Sequence, residues 1–368
     1  MHQETGHQQK ALAGALYAYA SNLDNLAALG PIVELITQKH ASLYVLPEHY
    51  KLVGEYLLAA MGEVLGDALT PEILSAWQTG YWELANLFIS REKELYAEGK
   101  DWSNWRKFRI ARKVVETPHI TSFYLEPVDA PRCPATGKMA PLPLFRPGQY
   151  IGVRVPVPAM GGVFQIRQYS LSNAPGESYY RISVKREEGE KGLAPAGVVS
   201  NILHDTKEEG DEVELSHPYG DFFLDNREDE GIDAPVVLLG AGVGLTCLTS
   251  IALDLSNRGS TRPIVFAHGS HAPELRPFAA DLKKLAAEKP NFSTVFFDKE
   301  QAADGHRDGR LAVEKLHAEK ELFAADKRTQ YFVCGPVSFM QESNKKLLEI
   351  GIPAERIHLE LFGTGGTD

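Results

Sequence analysis

Arg167-Gln168-Tyr169-Ser170 puts a guanidinium, an amide, a phenol and a hydroxyl on consecutive residues. About seventy residues later the chain reads Gly240-Ala241-Gly242-Val243-Gly244-Leu245-Thr246, and further on Cys334-Gly335-Pro336. The first stretch falls on a predicted strand, whose alternation sends Arg167 and Tyr169 to one side and Gln168 and Ser170 to the other. A guanidinium can grip a pyrophosphate bidentately, a phenol can lie against an isoalloxazine, and a hydroxyl beside the flavin N5 can assist hydride arrival. Alone, the tetrapeptide is better read as a surface strand with an ordinary arginine and a packed tyrosine. Its neighbours favour the flavin: Phe145-Arg146-Pro147-Gly148-Gln149-Tyr150 reads as a tight turn into a strand. Val198-Val199-Ser200-Asn201 reads as a helix N-cap whose free amides could receive phosphate.

The glycine-rich stretch follows an apolar strand, Pro235 to Leu239, and opens a helical one, the context a nucleotide turn requires. Its G-x-G-x-G spacing differs from the dinucleotide G-x-G-x-x-G fingerprint, which disfavours a standard Rossmann reading; a tight turn with no ligand is the alternative. Cys334-Gly335-Pro336 follows the strand Tyr331 to Val333 and so lies at a carboxyl end, where open α/β sheets bind ligands. Cys334 equally suits a buried small apolar position. After the strand Ile264 to His268, no basic residue that could take a 2′-phosphate occurs before Arg276, so NADH is expected over NADPH.

Three textures must position these residues. From residue 7 to about 98, apolar residues recur at helical spacing: Leu12, Ala15, Leu16 and Tyr19; Ile32, Leu35 and Ile36; Leu52, Leu57 and Leu58; Leu74, Trp77, Tyr81, Leu84 and Phe88. Gly30-Pro31, Pro47 and Thr70-Pro71 mark helix starts. From about 106 to 220, short β-branched and aromatic runs broken by Pro and Gly predict a small antiparallel barrel or sandwich. From 235 onward, buried strands alternating with helices predict a parallel doubly wound sheet. The expected domains are 1–102, 103–230 and 231–368, more than one hydrophobic core serves in a chain of 368 residues. The net charge of −11 argues against nucleic acid and anionic membranes. No apolar run approaches the roughly 18–20 residues of a membrane span, and the opening residues lack the basic and apolar regions of a signal peptide. Three cysteines, Cys133, Cys247 and Cys334, form no metal or disulfide spacing and suit a reducing cytoplasm.

From about residue 105 to its end the chain resembles the ferredoxin-reductase family, and more closely the reductase half of flavohemoglobins. The resemblance implies FAD contacts at Tyr150, Arg167, Gln168, Tyr169 and Ser170, to which the N-cap reading adds Ser200. It implies NADH or NADPH contacts at Gly242, Val243, Gly244, Leu245, Thr246 and Cys247, with Cys247 standing where the family usually has proline. Cys334 and Gly335, at the carboxyl end of their strand, are expected at the same site. The ending Glu360, Leu361, Phe362, Gly363 and Thr364 resembles the family's terminal strand. Phe362 would cover the flavin and move aside for nicotinamide, a core-packing role being its alternative.

His40 falls four residues after Ile36 and eight after Ile32, on the stripe expected to be buried, where a histidine is more often a satisfied core group than a ligand. A haem-ligating imidazole needs an acceptor on its other nitrogen. The helices resemble the globin domain of flavohemoglobins, which implies that His40 is the haem iron ligand, that Tyr50 and Glu92 form its charge relay, and that Gln8 is distal. Family members carry roughly three further helices before Gln8, so the resemblance implies a partial globin domain.

The chain is thus expected to join a partial all-α globin-like domain, an antiparallel β-barrel FAD domain and an α/β doubly wound NAD domain. The activity implied is a cytoplasmic, monomeric nitric oxide dioxygenase, in which electrons from NAD(P)H pass through FAD to haem b and NO and O2 become nitrate. One alternative is a haem-free NAD(P)H:acceptor flavin reductase. The other is a redox-coupled gas-sensing or docking module, with apolar stripes around Leu12 and Tyr19 exposed for a partner.

Overall fold

The computed structural model of the protein describes residues 7–99, 102, 104–129, 142–189, 195–224 and 233–362. Cys133, Gly363 and Thr364 lie outside the described residues, as does the side chain of Gln8. The chain divides into two compact units, Met1–Arg106 with Ser216–Asp221, and Lys107–Leu215 with Phe222–Asp368.

The first unit is built on four helices, α1 (His7–Ser21), α2 (Gly30–Ala41), α3 (Pro47–Leu65) and α4 (Pro71–Glu98). Pro31, Pro47 and Pro71 all sit in first turns, where the missing N–H costs nothing. Thr70 caps α4, its Oγ1 accepting from Ile73 N at 3.4 Å. Leu16, Tyr19, Val33, Tyr50, Tyr81, Leu84 and Phe88 form the core. Leu12 packs against that core and Tyr19 is buried in it, which corrects the exposed docking stripe expected there. Gly54 lets α4 approach α3, since a Cβ at that position would lie 2.5 Å from Tyr81 Cε1.

The stripe expected to be buried on α2 is also corrected. Val33, Thr37, Gln38 and Ala41 are its buried residues, whereas Ile32 is 41% exposed and the His40 side chain 32%. The helix turns one apolar stripe into the core and leaves the stripe carrying Ile32, Ile36 and His40 open or half-open. Residues Ser216–Asp221, distant in sequence, complete this unit: Gly220 N donates to Gln38 Oε1 at 2.8 Å, and His217 N to Tyr44 Oη at 3.2 Å.

The second unit contains two sheets. Strands β1 (Arg106–Thr117), β2 (Ile120–Pro127), β3 (Tyr150–Val157), β4 (Val163–Ser170), β5 (Tyr180–Lys185) and β6 (Glu212–Leu215) take the order β4-β3-β6-β1-β2-β5. An antiparallel bridge between Leu171 and Ile182 joins the two edges, closing the sheet into a barrel with no free edge at that corner. The helix α5 (Val198–Asp205) packs on β3 and β4.

The other sheet comprises β7 (Val236–Ala241), β8 (Ile264–Ser270), β9 (Phe292–Asp298), β10 (Arg307–Asp308), β11 (Gln330–Cys334) and β12 (Ile357–Glu360), ordered β10-β9-β8-β7-β11-β12, with every neighbouring pair parallel. Its central strands are apolar on both faces because both are covered. Val236 and Leu238 face α6 (Leu245–Asn257) and α7 (Ala279–Glu288), while Val237 and Leu239 face α8 (Val337–Glu349). Strand order reverses at β7, so a crevice opens between the carboxyl ends of β7 and β11.

Candidate functional site

In the helical unit, three side chains from three helices converge. His40, in the last turn of α2, places Nδ1 2.8 Å from Glu92 Oε1 of α4 and 2.9 Å from Tyr50 Oη of α3. Tyr50 donates to the same Glu92 oxygen at 2.5 Å, and its own carbonyl accepts from Tyr81 Oη at 2.5 Å. Burial, and then the hydrogen bond to Glu92, raise the Tyr50 phenol far above its ordinary range, so it remains a donor. A carboxylate that accepts from both neighbours fixes the proton of His40 on Nδ1 and leaves the lone pair on Nε2. Glu92 is buried, and its Oε2 has no hydrogen-bond partner among the described residues. A buried carboxylate oxygen left in this state is costly unless positive charge stands nearby. Resemblance to the globin domain, not spacing, points to Tyr50 and Glu92 beside His40. Gln8 lies on α1.

In the second unit, Arg167 to Ser170 form the end of β4 and pair with β3, Tyr150 lying opposite Ser170 and Val153 opposite Arg167. Directly opposed residues share a face, so Tyr150 stands with Ser170 and Gln168, not with Arg167 and Tyr169. The Arg167 guanidinium is half-buried and donates to Ile166 O at 2.6 Å. Burial raises the Tyr169 phenol well above its ordinary range, keeping it neutral. Gly148 turns the chain into β3 at φ +109°, and a Cβ there would meet Phe222 O at 2.1 Å.

The N-cap expected over Val198–Asn201 is corrected. Gly197 is the N-cap of α5, and Ser200 lies within the first turn, where its hydroxyl accepts from Glu187 N at 3.3 Å. A Cβ at residue 197 would lie 2.6 Å from Ser200 Oγ, so glycine is required there. No side chain caps this helix, whose first turn therefore keeps uncapped amides, and α5 packs next to β4.

The glycine turn is shorter than the sequence suggested. Gly240 and Ala241 extend β7, held by parallel pairing with His268 and Gly269 of β8, and the turn is Gly242-Val243-Gly244. Each of its three carbonyls accepts from a side chain: Gly242 O from His268 Nε2 at 2.9 Å, Val243 O from Thr246 Oγ1 at 3.0 Å, and Gly244 O from Cys247 Sγ at 3.4 Å. The thiol thus restrains the position where proline was expected. Pinning the carbonyls leaves the amides as the groups the turn can offer an anion.

Gly244 touches the other side of the crevice: a Cβ there would meet Cys334 O at 2.2 Å and Gly335 N at 2.7 Å. Cys334 ends β11 and is fully buried, as is Cys247. Burial, and then contact with Cys247, push the Cys334 thiol well up, which leaves it a weak nucleophile. Glu360, the last residue of β12, is buried, Leu361 is half-buried, and Phe362 stands 43% exposed beyond the strand. Phe362 is therefore not a core-packing residue.

Two features escaped sequence reasoning. Arg276, Asp298, His306 and His268 form a buried polar group behind the glycine turn, whose available signal was polar residues, His268 and Asp298, near the carboxyl ends of apolar strands. Ser250 Oγ of α6 also donates to Asn173 O at 2.7 Å, in the segment leaving β4, while Asn173 Oδ1 accepts from Arg181 N of β5 at 2.8 Å.

Among the described residues, no group of three or more His, Cys, Asp or Glu could hold a metal ion, and no helix is long and apolar enough to cross a membrane. Residues 2–86 match the globin family, and residues 238–345 match the oxidoreductase NAD-binding domain. The chain is 43% identical to the flavohemoprotein of Bordetella parapertussis, covering 99% of this chain and 88% of that one. It is also 43% identical to that of Rhizobium meliloti, over 98% and 87%. Among solved structures it resembles a flavohemoglobin from Malassezia yamatoensis with bound FAD and haem, with TM-score 0.81, 29% identity, and coverage of 98% of this chain and 88% of that one. The FAD/NAD-binding domain of a nitric oxide dioxygenase from Vibrio cholerae matches 70% of this chain and 98% of its own length, with TM-score 0.60 and 33% identity. Globin helices, a closed barrel and a parallel nucleotide-binding sheet on one polypeptide, with those relatives, place this oxidoreductase in the flavohemoprotein family.

Proposed function

We propose that the chain is an NAD(P)H-dependent nitric oxide dioxygenase that carries FAD and haem b and converts NO and O2 to nitrate. The observation that carries this reading is the imidazole of His40, oriented through Nδ1 by Glu92, which leaves Nε2 as its free donor atom, on a stripe of α2 that is open or half-open. These residues fit haem. One histidine supplies one ligand, so an iron here needs a macrocycle for most of the rest. The unpartnered Glu92 oxygen suits a cationic centre bound through the imidazole.

When bound, FAD takes electrons in pairs and releases them singly, and haem b supplies the iron at which O2 and NO combine. Each NO, with one O2 and one electron, gives one nitrate, so one NADH serves two NO. His40 Nε2 would hold the iron, Glu92 would make that nitrogen a stronger donor, and Tyr50 would hold Glu92 in place. Gln8 is assigned to the distal side.

For the flavin, Arg167 and the uncapped first turn of α5, beside Ser200, would receive the pyrophosphate, and Tyr150, Gln168, Tyr169 and Ser170 would flank the ring. Gly242 to Cys247 would receive the nucleotide, with Cys334, Gly335, Glu360 and Leu361 around its nicotinamide end. NADH is the preferred donor, because the Arg276 side chain is fully buried and paired with Asp298. A cytoplasmic monomer acting on these small molecules is the corresponding assignment.

Arg167→Ala is expected to lose FAD before it loses fold: among the described residues the guanidinium bonds locally, to Ile166 O, so β4 stays paired while the pyrophosphate grip goes. Flavin that stays bound through gel filtration would refute this role. Phe362→Ser should change the rate of flavin reduction by NADH more than FAD content. Identical pre-steady-state traces for variant and parent would remove the gate.

The function is tested by following NO with an electrode in the presence of NADH and O2 and assaying nitrate. Two NO consumed per NADH is the expected ratio. NADH oxidation with exogenous acceptors but no NO loss would favour the haem-free reductase.

A further inference from the structure

We propose that His268 and Arg276 are positioning residues for the nucleotide turn, Arg276 fixing the tautomer in which His268 holds the carbonyl of Gly242. The inference rests on the turn being the nucleotide site, and it concerns how the protein builds that turn.

Gly242 needs to be held. It takes φ +57°, it is exposed, and a Cβ built on it would meet nothing within 4 Å, so no neighbouring side chain defines its place by packing. Thr246 and Cys247 pin the next two carbonyls from within the helix that the turn opens. The Gly242 carbonyl alone is fixed from a different strand, by His268 of β8.

The direction of that hydrogen bond follows from its partners. His268 is fully buried. Its Nδ1 lies 3.1 Å from Arg276 Nε, and its Nε2 lies 2.9 Å from Gly242 O. Guanidinium only donates and a carbonyl only accepts. Nδ1 must therefore carry the lone pair and Nε2 the proton, which makes the imidazole neutral and its donor face the turn. Burial first, and the Arg276 charge second, lower the His268 pKa to about 3, consistent with that neutral form.

Arg276 is held in turn. Its Nη2 donates to Asp298 Oδ1 at 2.7 Å and to Phe297 O at 2.8 Å, and both charged side chains are wholly excluded from solvent. His306 donates from Nδ1 to the other Asp298 oxygen at 2.5 Å. The guanidinium packs 4.3 Å from the centre of the Phe296 ring. With these partners Arg276 does not reach out to a 2′-phosphate; its charge serves the interior. Parallel register supplies the alignment, since β7, β8 and β9 end together and stack Gly240, His268 and Phe296 across the sheet.

The test begins with His268, which leaves the Arg276–Asp298 ion pair intact. In the full-length protein without nucleotide, hydrogen–deuterium exchange of the peptide spanning Ala241 to Leu248 should accelerate in His268→Phe. It should return towards the parent in His268→Gln, whose amide can still donate to Gly242 O. In rapid mixing with NADH, His268→Phe should raise the concentration for half-maximal flavin reduction about tenfold, the equivalent of one lost hydrogen bond. The limiting rate and FAD content should change little, and His268→Gln should recover most of the loss.

Arg276→Lys should show a smaller effect of the same kind, and the double variant His268→Phe/Arg276→Lys should be no worse than His268→Phe, because Arg276 acts through His268. Unchanged exchange in a folded His268→Phe protein overturns the proposal, and so do losses that multiply in the double variant. A defect of Arg276→Lys confined to NADPH would make Arg276 a phosphate ligand and overturn it too. Exchange that responds as expected in a protein whose flavin neither NADH nor NADPH reduces would sustain the relay and reject the nucleotide reading.

Discussion

Replacing His40 with alanine is expected to give a protein that keeps its flavin spectrum and lacks a haem Soret band, with NADH-dependent NO consumption at background. The substitution removes the single imidazole that Glu92 and Tyr50 orient. It also leaves the buried Glu92 carboxylate with one donor fewer, so the helical unit should melt earlier even without haem. NADH:ferricyanide reductase activity should persist, since the residues proposed to hold FAD and the nucleotide lie in the other unit. The decisive measurement is the spectrum after reconstitution with hemin: a normal Soret band and undiminished NO turnover would eliminate His40 as the iron ligand.

Gly244→Ala should abolish most NADH-driven flavin reduction although it adds only a methyl group. That methyl would sit 2.2 Å from Cys334 O and 2.5 Å from Cys334 C, and both are main-chain atoms of a central strand that cannot rotate away. Relief requires the glycine turn and the Cys334-Gly335 turn to separate, at a cost of about 1–3 kcal/mol or more from overpacking. Gly242→Ala provides the contrast within the same three residues. Its Cβ would enter open space, and its cost is that of the left-handed conformation alone, about 1–2 kcal/mol. Stopped-flow flavin reduction and thermal melting of both variants give the comparison. A Gly244→Ala protein with parental melting temperature and reduction rate would mean that the close approach across the crevice is not maintained in solution.

The parallel sheet was legible because strands buried on both faces read as unbroken apolar runs, such as Val236 to Leu239, and because a turn and a helix follow in order. Local chemistry similarly exposed Arg167 to Ser170 on their strand. What was not legible depended on offsets or on distant pairing. Moving the N-cap of α5 from Val198–Asn201 to Gly197 changes no composition, and the crowding of a Cβ at 197 against Ser200 and Glu187 becomes visible only once the chain is folded. The α2 stripe was misjudged because Ile32 and Val33 are equally apolar, and periodicity cannot say which faces a core and which stands open. Ser216 to Asp221 join the helical unit through Gln38 and Tyr44, contacts no nearby residue announces. Arg276, Asp298 and His268 meet because β8 and β9 end side by side and the turn after β8 returns Arg276 to their carboxyl ends.

A hydride passes only between atoms already in contact, and a misplacement of about 1 Å can slow such a step about a hundredfold. Against that tolerance, the short bond from Ser250 to the carbonyl of Asn173 would act as a mechanical stay: it fastens the helix that begins at the glycine turn to the segment that leaves β4, the strand proposed to face the isoalloxazine. Slack in that stay would be felt as lost turnover without the loss of either coenzyme.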